Sequence, residues 1–360
     1  MRAAIMRQQR IAVGELPVPE PAAGQVLVKS LACGICGSDL HVLQHLPDVI
    51  AASEGEGTLA SLRLGDDLVM GHEFCAEIVD YGPGSERRMA AGTRVCSLPV
   101  TFGPKGRQTV GYSHEAPGGY GEYMVLSAPL LLPVPGDLPS PIAALTEPLA
   151  VGWHAVAKAR LGADDVPLVI GCGPVGLSVI AGLKLRGVGP IVAADFSPKR
   201  RELAVRFGAD LVIDPAVTSP YTSWLELATL PEPADAPPSP FPVEGPRCRP
   251  TVVFECVGVP GMIDQIAKSV PRDTRAVIVG VCMQDDTIRP MRAIGKELSL
   301  QFVLGYTADE FADSLRHLAD GKIDGAAMVT GEVGLDGVAP AFEALASPDR
   351  HCKIIIEPWS

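Results

Sequence analysis

Nine residues near the N-terminus, Cys33-Gly-Ile-Cys36-Gly-Ser38-Asp39-Leu-His41, carry two thiols, a hydroxyl, a carboxylate and an imidazole. Gly71-His72-Glu73 follows, and an isolated Glu147-Pro148 comes much later. One thiolate, one imidazole and one or two carboxylates can surround a zinc ion and leave a position open, the pattern of a catalytic site and not of a closed structural one. Cys36, His72 and Glu73 are the candidate ligands, with Glu147 either a further ligand or the holder of a water ligand. A metal so held could grip and polarise a substrate oxygen. Taken singly, His72 reads as a satisfied core histidine and Glu73 as a solvated charge. Cys33 with Cys36 could be half of a structural zinc site, but no second C-x-x-C completes it.

A second constellation lies in the middle of the chain. Gly171-Cys-Gly173-Pro-Val-Gly176 follows a short apolar strand, Leu168-Val-Ile170, and opens a helix. Asp195 stands 19 positions after Gly176, at the end of the next strand. That full context is what a dinucleotide fingerprint requires: a turn, a close approach of phosphate to backbone, and tight helix–strand packing. Helix N-terminal amides then meet the phosphates. The plainer alternative is a glycine-rich turn without a ligand. Asp195 is expected to accept the adenosine ribose hydroxyls and to repel a 2′-phosphate, which favours NAD over NADP. Lys199 and Arg200 lie close by and weaken that preference.

The rest of the chain must position these groups. At 360 residues two domains are expected. Hydrophobic content of 47% and charged content of 20% are those of an ordinary globular protein. The net charge of -12 disfavours nucleic acid and anionic membrane as partners. The nine cysteines are irregularly spaced and no signal peptide is visible, so free thiols, metal ligands and a cytoplasmic location are expected. The apolar run Val166–Leu183 is broken by the fingerprint glycines, so no transmembrane segment is expected.

The first third reads as short strands and turns, including 25–29, 74–79, 93–100 and 120–126, with 44–66 hard to place and 101–119 an exposed loop. Pro148 interrupts a helical pattern over 138–145 and suits the first turn of a helix over 149–160, which would aim Glu147 from a junction. From Val166 strands and helices alternate, through 191–194, 198–207, 211–213, 251–254 and 276–279, which predicts a parallel, doubly wound sheet. Eight prolines between 231 and 250 mark a surface excursion in a crossover. Thr307 and Glu310 have capping-box spacing, and 353–356 is a late strand expected to pack back on the N-terminal part.

The motifs CGICGSDLH (33–41), GHE (71–73), EPLAVGWHA (147–155), GCGPVG (171–176), FECVG (254–258) and VGVC (279–282) together resemble a zinc-dependent medium-chain dehydrogenase/reductase. That resemblance implies an α/β protein with a GroES-like β-barrel over 1–150, a Rossmann domain over 151–304 and a C-terminal segment, 305–360, completing the first domain. It implies Ser38 and His41 as a proton relay, beside Cys36, His72 and Glu73, and Asp39 as the group orienting the zinc imidazole. The implied cofactor contacts are Gly171, Gly173, Pro174, Val175, Gly176, Asp195, Phe196, Arg200, Cys256, Val257, Gly280 and Val281. Between residue 80 and Cys172 the only cysteine is Cys96, so the family's structural zinc is not expected.

The implied activity is hydride transfer between a small alcohol, expected to be secondary, or its ketone and NAD, in a homodimer or homotetramer. The pocket is expected to draw on 42–64, 101–119 and 291–306. Glu147 keeps a polyol or sugar substrate open. A zinc-free quinone or enoyl reductase and a non-catalytic NAD-binding sensor are the competing readings.

Overall fold

The computed structural model describes all residues except 54–61, 66, 105, 232–245 and 348. Two compact units emerge, one formed by Met1–Ala150 with Thr307–Ser360 and the other by Val151–Tyr306. Most of the proline-rich excursion, and the middle of the 42–64 stretch, lie outside the described residues.

The first unit begins with strands β1 (Arg2–Arg7), β2 (Arg10–Glu15) and β3 (Gln25–Gly34), then helix α1 (Gly37–Ser53). Strands β4 (Glu73–Tyr81), β5 (Arg94–Ser97), β6 (Val100–Gly103), β7 (Gly106–Thr109), β8 (Tyr123–Ser127) and β9 (Leu131–Pro133) follow. Helices α2 (Ser140–Ala143) and α3 (Thr146–Lys158) lead out of it.

In the second unit strands and helices alternate: β10 (Val166–Ile170), α4 (Pro174–Leu185), β11 (Val192–Ala194), α5 (Pro198–Phe207), β12 (Leu211–Ile213) and α6 (Pro220–Ala228). It continues with β13 (Thr251–Glu255), α7 (Met262–Ser269), β14 (Arg275–Ile278), α8 (Pro290–Gly295) and β15 (Ser299–Phe302). The chain then returns to the first unit with α9 (Ala308–Ala319), α10 (Gly325–Met328), β16 (Val329–Val333), α11 (Val338–Leu345) and β17 (Lys353–Ile356).

The six strands of the second unit form one parallel sheet in the order β12-β11-β10-β13-β14-β15. Every residue of β10 and β13 is buried, which is why these strands read as continuous apolar runs and not as alternating ones. Trp224 of α6 is fully buried against the sheet and donates its indole N–H to Val166 O at 2.9 Å. The order reverses beside β10, the place where open α/β sheets bind ligands at their strand C-terminal ends.

In the first unit β3 is the hub, pairing antiparallel with β4, β8 and β17. Its register places Cys33 opposite Phe74 and Gly34 opposite Glu73, with Ile355 of β17 also opposite Gly34. Cys36, two residues past the end of β3, and His72, one residue before β4, therefore leave the sheet at the same end. The late strand does pack back on the N-terminal strands, as its apolar composition requires.

Three local expectations change. The stretch that was hard to place begins as helix: α1 runs to Ser53 across a break at His45, which puts Pro47 in the first turn of the second half, where its missing N–H costs little. Residues 101–119 are not a uniformly exposed loop. They hold the β6–β7 hairpin, and Val110, Tyr112 and Ala116 are buried because the following segment hydrogen-bonds across to 69–71. Helix α3 starts at Thr146, so Glu147 lies within its first turn, near the positive end of the helix dipole.

Candidate functional site

Ligand atoms of Cys36, His72 and Glu73 lie within 4.8 Å of one another. The three come from the β3–α1 link, from the residue before β4 and from the first residue of β4. Glu147 is nine-tenths buried but is not a member of this cluster.

Asp39 is fully buried and its carboxylate is the most heavily used group nearby. Its Oδ2 accepts the Cys36 backbone N–H at 3.0 Å and the Tyr120 hydroxyl at 2.7 Å, and its Oδ1 accepts the Tyr112 hydroxyl at 2.8 Å. His72 Nδ1 faces Oδ1 at 3.5 Å and makes no hydrogen bond although it is buried. Burial raises the Asp39 carboxyl, but the His72 charge and the donated hydrogen bonds bring it below its usual range. Burial lowers the His72 imidazole, but Asp39 overrides this and holds it well above its ordinary value. The pocket thus favours positive charge on the ring, from a proton or from a cation at Nε2.

Glu73 is fully buried and receives Lys353 Nζ on both oxygens, at 2.8 and 2.6 Å. Burial opposes the Lys353 charge, but Glu73 outweighs it and keeps the amine above its usual range. Lys353 Nζ also donates to Ile35 O at 3.0 Å. The approach of Glu73 is possible only because residue 34 is glycine: a Cβ there would lie 2.1 Å from Glu73 Oε2.

These residues fit a zinc ion. Metal binding requires Cys36 as thiolate. With His72 neutral, as a metal ligand must be, and Asp39 and Glu73 ionised, the pocket then carries three negative charges against the single positive charge of Lys353. A dication closes that balance, and the donors are one sulfur, one imidazole and a carboxylate. Cys33 is not a member of the cluster, and burial first, then the Asp39 and Glu73 charges, push its thiol well above its ordinary value.

Ser38 and His41 lie in the first turns of α1, both half-buried. The Ser38 hydroxyl is 2.7 Å from the Tyr112 hydroxyl. Burial, and secondarily His45, lower the His41 imidazole below its ordinary value, which favours the neutral ring.

In the second unit Gly173 caps α4 and Pro174 opens it, with Val175 in the first turn. A Cβ on Gly176 would fall 1.8 Å from Gly171 O, so only glycine lets α4 sit against the β10 turn. Asp195 directly follows β11, with Oδ2 accepting the Cys172 N–H and Oδ1 the Ser197 N–H, both at 2.8 Å. A carboxylate offers about four lone-pair sites, so two remain for a ribose. Arg200 lies 4.0 Å from Asp195, with its buried Nε unpaired. Phe196, Val257 and Val281 are exposed, Cys256 is half-buried, and Gly280 closes on Gly258.

Sequence reasoning missed Tyr112, Tyr120, Lys353 and Glu255. Glu255 Oε1 accepts the Val257 and Gly258 N–H groups at 2.8 and 2.9 Å and so shapes that loop. The one available signal was a lysine opening an otherwise apolar strand, Lys353-Ile-Ile-Ile.

Residues 22–136 match the alcohol dehydrogenase GroES-like domain and residues 174–320 the zinc-binding dehydrogenase domain. The (R,R)-butanediol dehydrogenase of Bacillus subtilis (strain 168) is 32% identical over 368 residues, spanning 99% of this chain and 100% of that one. The chain belongs to the zinc-dependent medium-chain dehydrogenase/reductase family. It is an oxidoreductase of the dehydrogenase type. The sorbitol dehydrogenase of the same Bacillus strain is 28% identical over 373 residues, with 99% and 97% of the two chains covered. The crystal structure of 2R,3R-butanediol dehydrogenase from Bacillus subtilis superposes with a TM-score of 0.79, at 28% identity and 99% coverage of both chains.

Removing the Lys353 charge strands Glu73 in the core. Lys353→Met is expected to cost about 3–5 kcal/mol in chelator-treated protein, because an unpaired buried charge is left behind. The cost should be smaller in zinc-loaded protein, where the cation compensates Glu73. Urea unfolding with and without zinc measures both values, and equal losses in the two states would separate Glu73 from the metal.

Proposed function

We propose that this protein is an NAD-dependent, zinc-containing dehydrogenase of small secondary alcohols, with vicinal diols such as butane-2,3-diol the first class to try. The observation that carries this reading is the Cys36–His72–Glu73 cluster, half-buried at Cys36 and buried at the other two, with its excess negative charge. Zinc, when bound, supplies a Lewis acid that lowers the pKa of an alcohol oxygen, and NAD supplies the hydride acceptor.

The chain's own residues do the remainder. Cys36, His72 and Glu73 hold the cation, and Asp39 fixes the imidazole ring. Ser38 would take the proton from the alcohol oxygen and give up its own proton toward the neutral His41 imidazole, so the alcohol and Ser38 O–H bonds break while a new Ser38 O–H and a His41 N–H form. Glu147, in the first turn of α3, would hold a water ligand. Gly171, Gly173, Pro174, Val175 and Gly176 would receive the pyrophosphate, with Asp195 on the ribose and Arg200 beside it. Phe196, Cys256, Val257, Gly280 and Val281 would complete the cofactor contacts. Residues 1–150 with 305–360 would act as the catalytic part and 151–304 as the nucleotide part.

A polyol is the second substrate class, supported by the likeness to sorbitol dehydrogenase and by Glu147. The donor cluster speaks against a zinc-free reductase.

A homodimer or homotetramer is supported by β15, an edge strand with Phe302, Leu304, Met291 and Ile294 exposed on and beside it. Among the described residues no helix is long and apolar enough to cross a membrane. A cytoplasmic location accords with the nine free cysteines.

Cys36→Ser is expected to lose zinc and turnover together, and chelation of the wild type should abolish NADH formation across a panel of secondary, primary, cyclic and polyhydroxylated alcohols. Full activity after metal removal would defeat the reading. For the cofactor, Asp195→Ala should weaken NAD binding about tenfold or more while changing NADP binding little, since a 2′-phosphate gains nothing from a carboxylate. Equal losses in fluorescence titrations with NADH and NADPH would remove Asp195 from this role.

A further inference from the structure

Tyr112 is buried, belongs to no motif, and sits where two parts of the site meet. Its ring packs against His72 with centroids 5.0 Å apart. Its hydroxyl is 2.8 Å from Asp39 Oδ1 and 2.7 Å from Ser38 Oγ. The phenol has a single proton, and an ionised carboxylate can only accept. That proton therefore goes to Asp39, because the reverse arrangement would aim an oxygen lone pair at a carboxylate oxygen. Tyr112 Oη is then an acceptor toward Ser38, and Ser38 must be the donor.

We propose that Tyr112 is a positioning residue that fixes the Ser38 hydroxyl, holding its O–H inward and presenting its lone pairs to the alcohol. The inference rests on the reading of Ser38 as the group that takes the alcohol proton. Without the phenol oxygen, the Ser38 hydroxyl turns freely among its rotamers and competes with the alcohol as a donor. Onward transfer to His41 requires the Ser38 proton to turn away from Tyr112 as the alcohol proton arrives. The anchor behind Tyr112 is Asp39, which keeps its hydrogen bonds from Tyr120 and the Cys36 N–H. Loss of the phenol hydroxyl should therefore disturb Ser38 far more than His72 or the metal.

Tyr112→Phe keeps the ring and removes only the oxygen. Zinc content should remain one per chain, and the KM of the fastest alcohol in the panel should stay within about twofold, while kcat falls about 10- to 100-fold, the usual cost of losing an outer-shell partner. In a Ser38→Ala background the same change should cost nothing further, because the group it positions is gone. A neutron structure of the zinc-loaded wild type should show the Tyr112 deuteron toward Asp39 and the Ser38 deuteron toward Tyr112, which needs no variant to fold. An unchanged kcat, loss of zinc in Tyr112→Phe, multiplicative losses in the double variant, or a Ser38 deuteron turned elsewhere would each overturn the proposal. If Ser38→Ala is itself fully active, the relay reading fails and takes this inference with it. If Ser38→Ala is slow and Tyr112→Phe is not, the inference alone fails.

Discussion

An excess of buried negative charge governs the first unit. Asp39, Glu73 and a Cys36 thiolate share a pocket with one compensating amine, Lys353. Burying carboxylates costs several kcal/mol each unless they are paired or fully hydrogen-bonded. Asp39 meets that cost with two phenols and a backbone amide, and Glu73 with an amine on both oxygens. Neither arrangement neutralises the thiolate once His72 is neutral and free to act as a ligand. A divalent cation does, and the three ligand groups are already gathered to receive it, so metal binding and folding of this unit are thermodynamically coupled.

Strand register produces that gathering. Because β3 pairs with β4 and β17 through Gly34, its end receives residues from three distant parts of the sequence. Cys36 continues from β3, His72 and Glu73 lead into β4, and Lys353 opens β17. A slip of one residue would turn Glu73 to the other face of the sheet. The missing side chain at Gly34 is as necessary as the ligands, since it is the space that the Glu73 carboxylate occupies. In the second unit the same economy appears at Gly176, where the helix approaches the turn of Gly171 closely enough to exclude any Cβ.

Much of this is legible in the sequence. The βαβ alternation after Val166, the Gly208 and Thr307–Glu310 caps and the return of 353–356 follow from local rules, and the structure has them. The metal cluster could be nominated because thiol, imidazole and carboxylate occur in short motifs. The groups around it could not. Tyr112 and Tyr120 lie in a glycine-rich stretch whose composition suggests exposure, yet both are buried, with the backbone of 118–120 hydrogen-bonded to 69–71. Glu255 reads as the end of an apolar strand, and its service to the 257–258 amides is visible only in three dimensions. Residues that position others leave a weaker trace in sequence than residues that perform chemistry, because their partners can come from anywhere in the chain.

The most direct test of the central claim is zinc-edge X-ray absorption on the purified protein. One zinc per chain with a single sulfur ligand at about 2.3 Å and the remaining ligands nitrogen or oxygen is the expected result. Absence of bound zinc, or a shell with two or more sulfurs that draws in Cys33, would contradict the account.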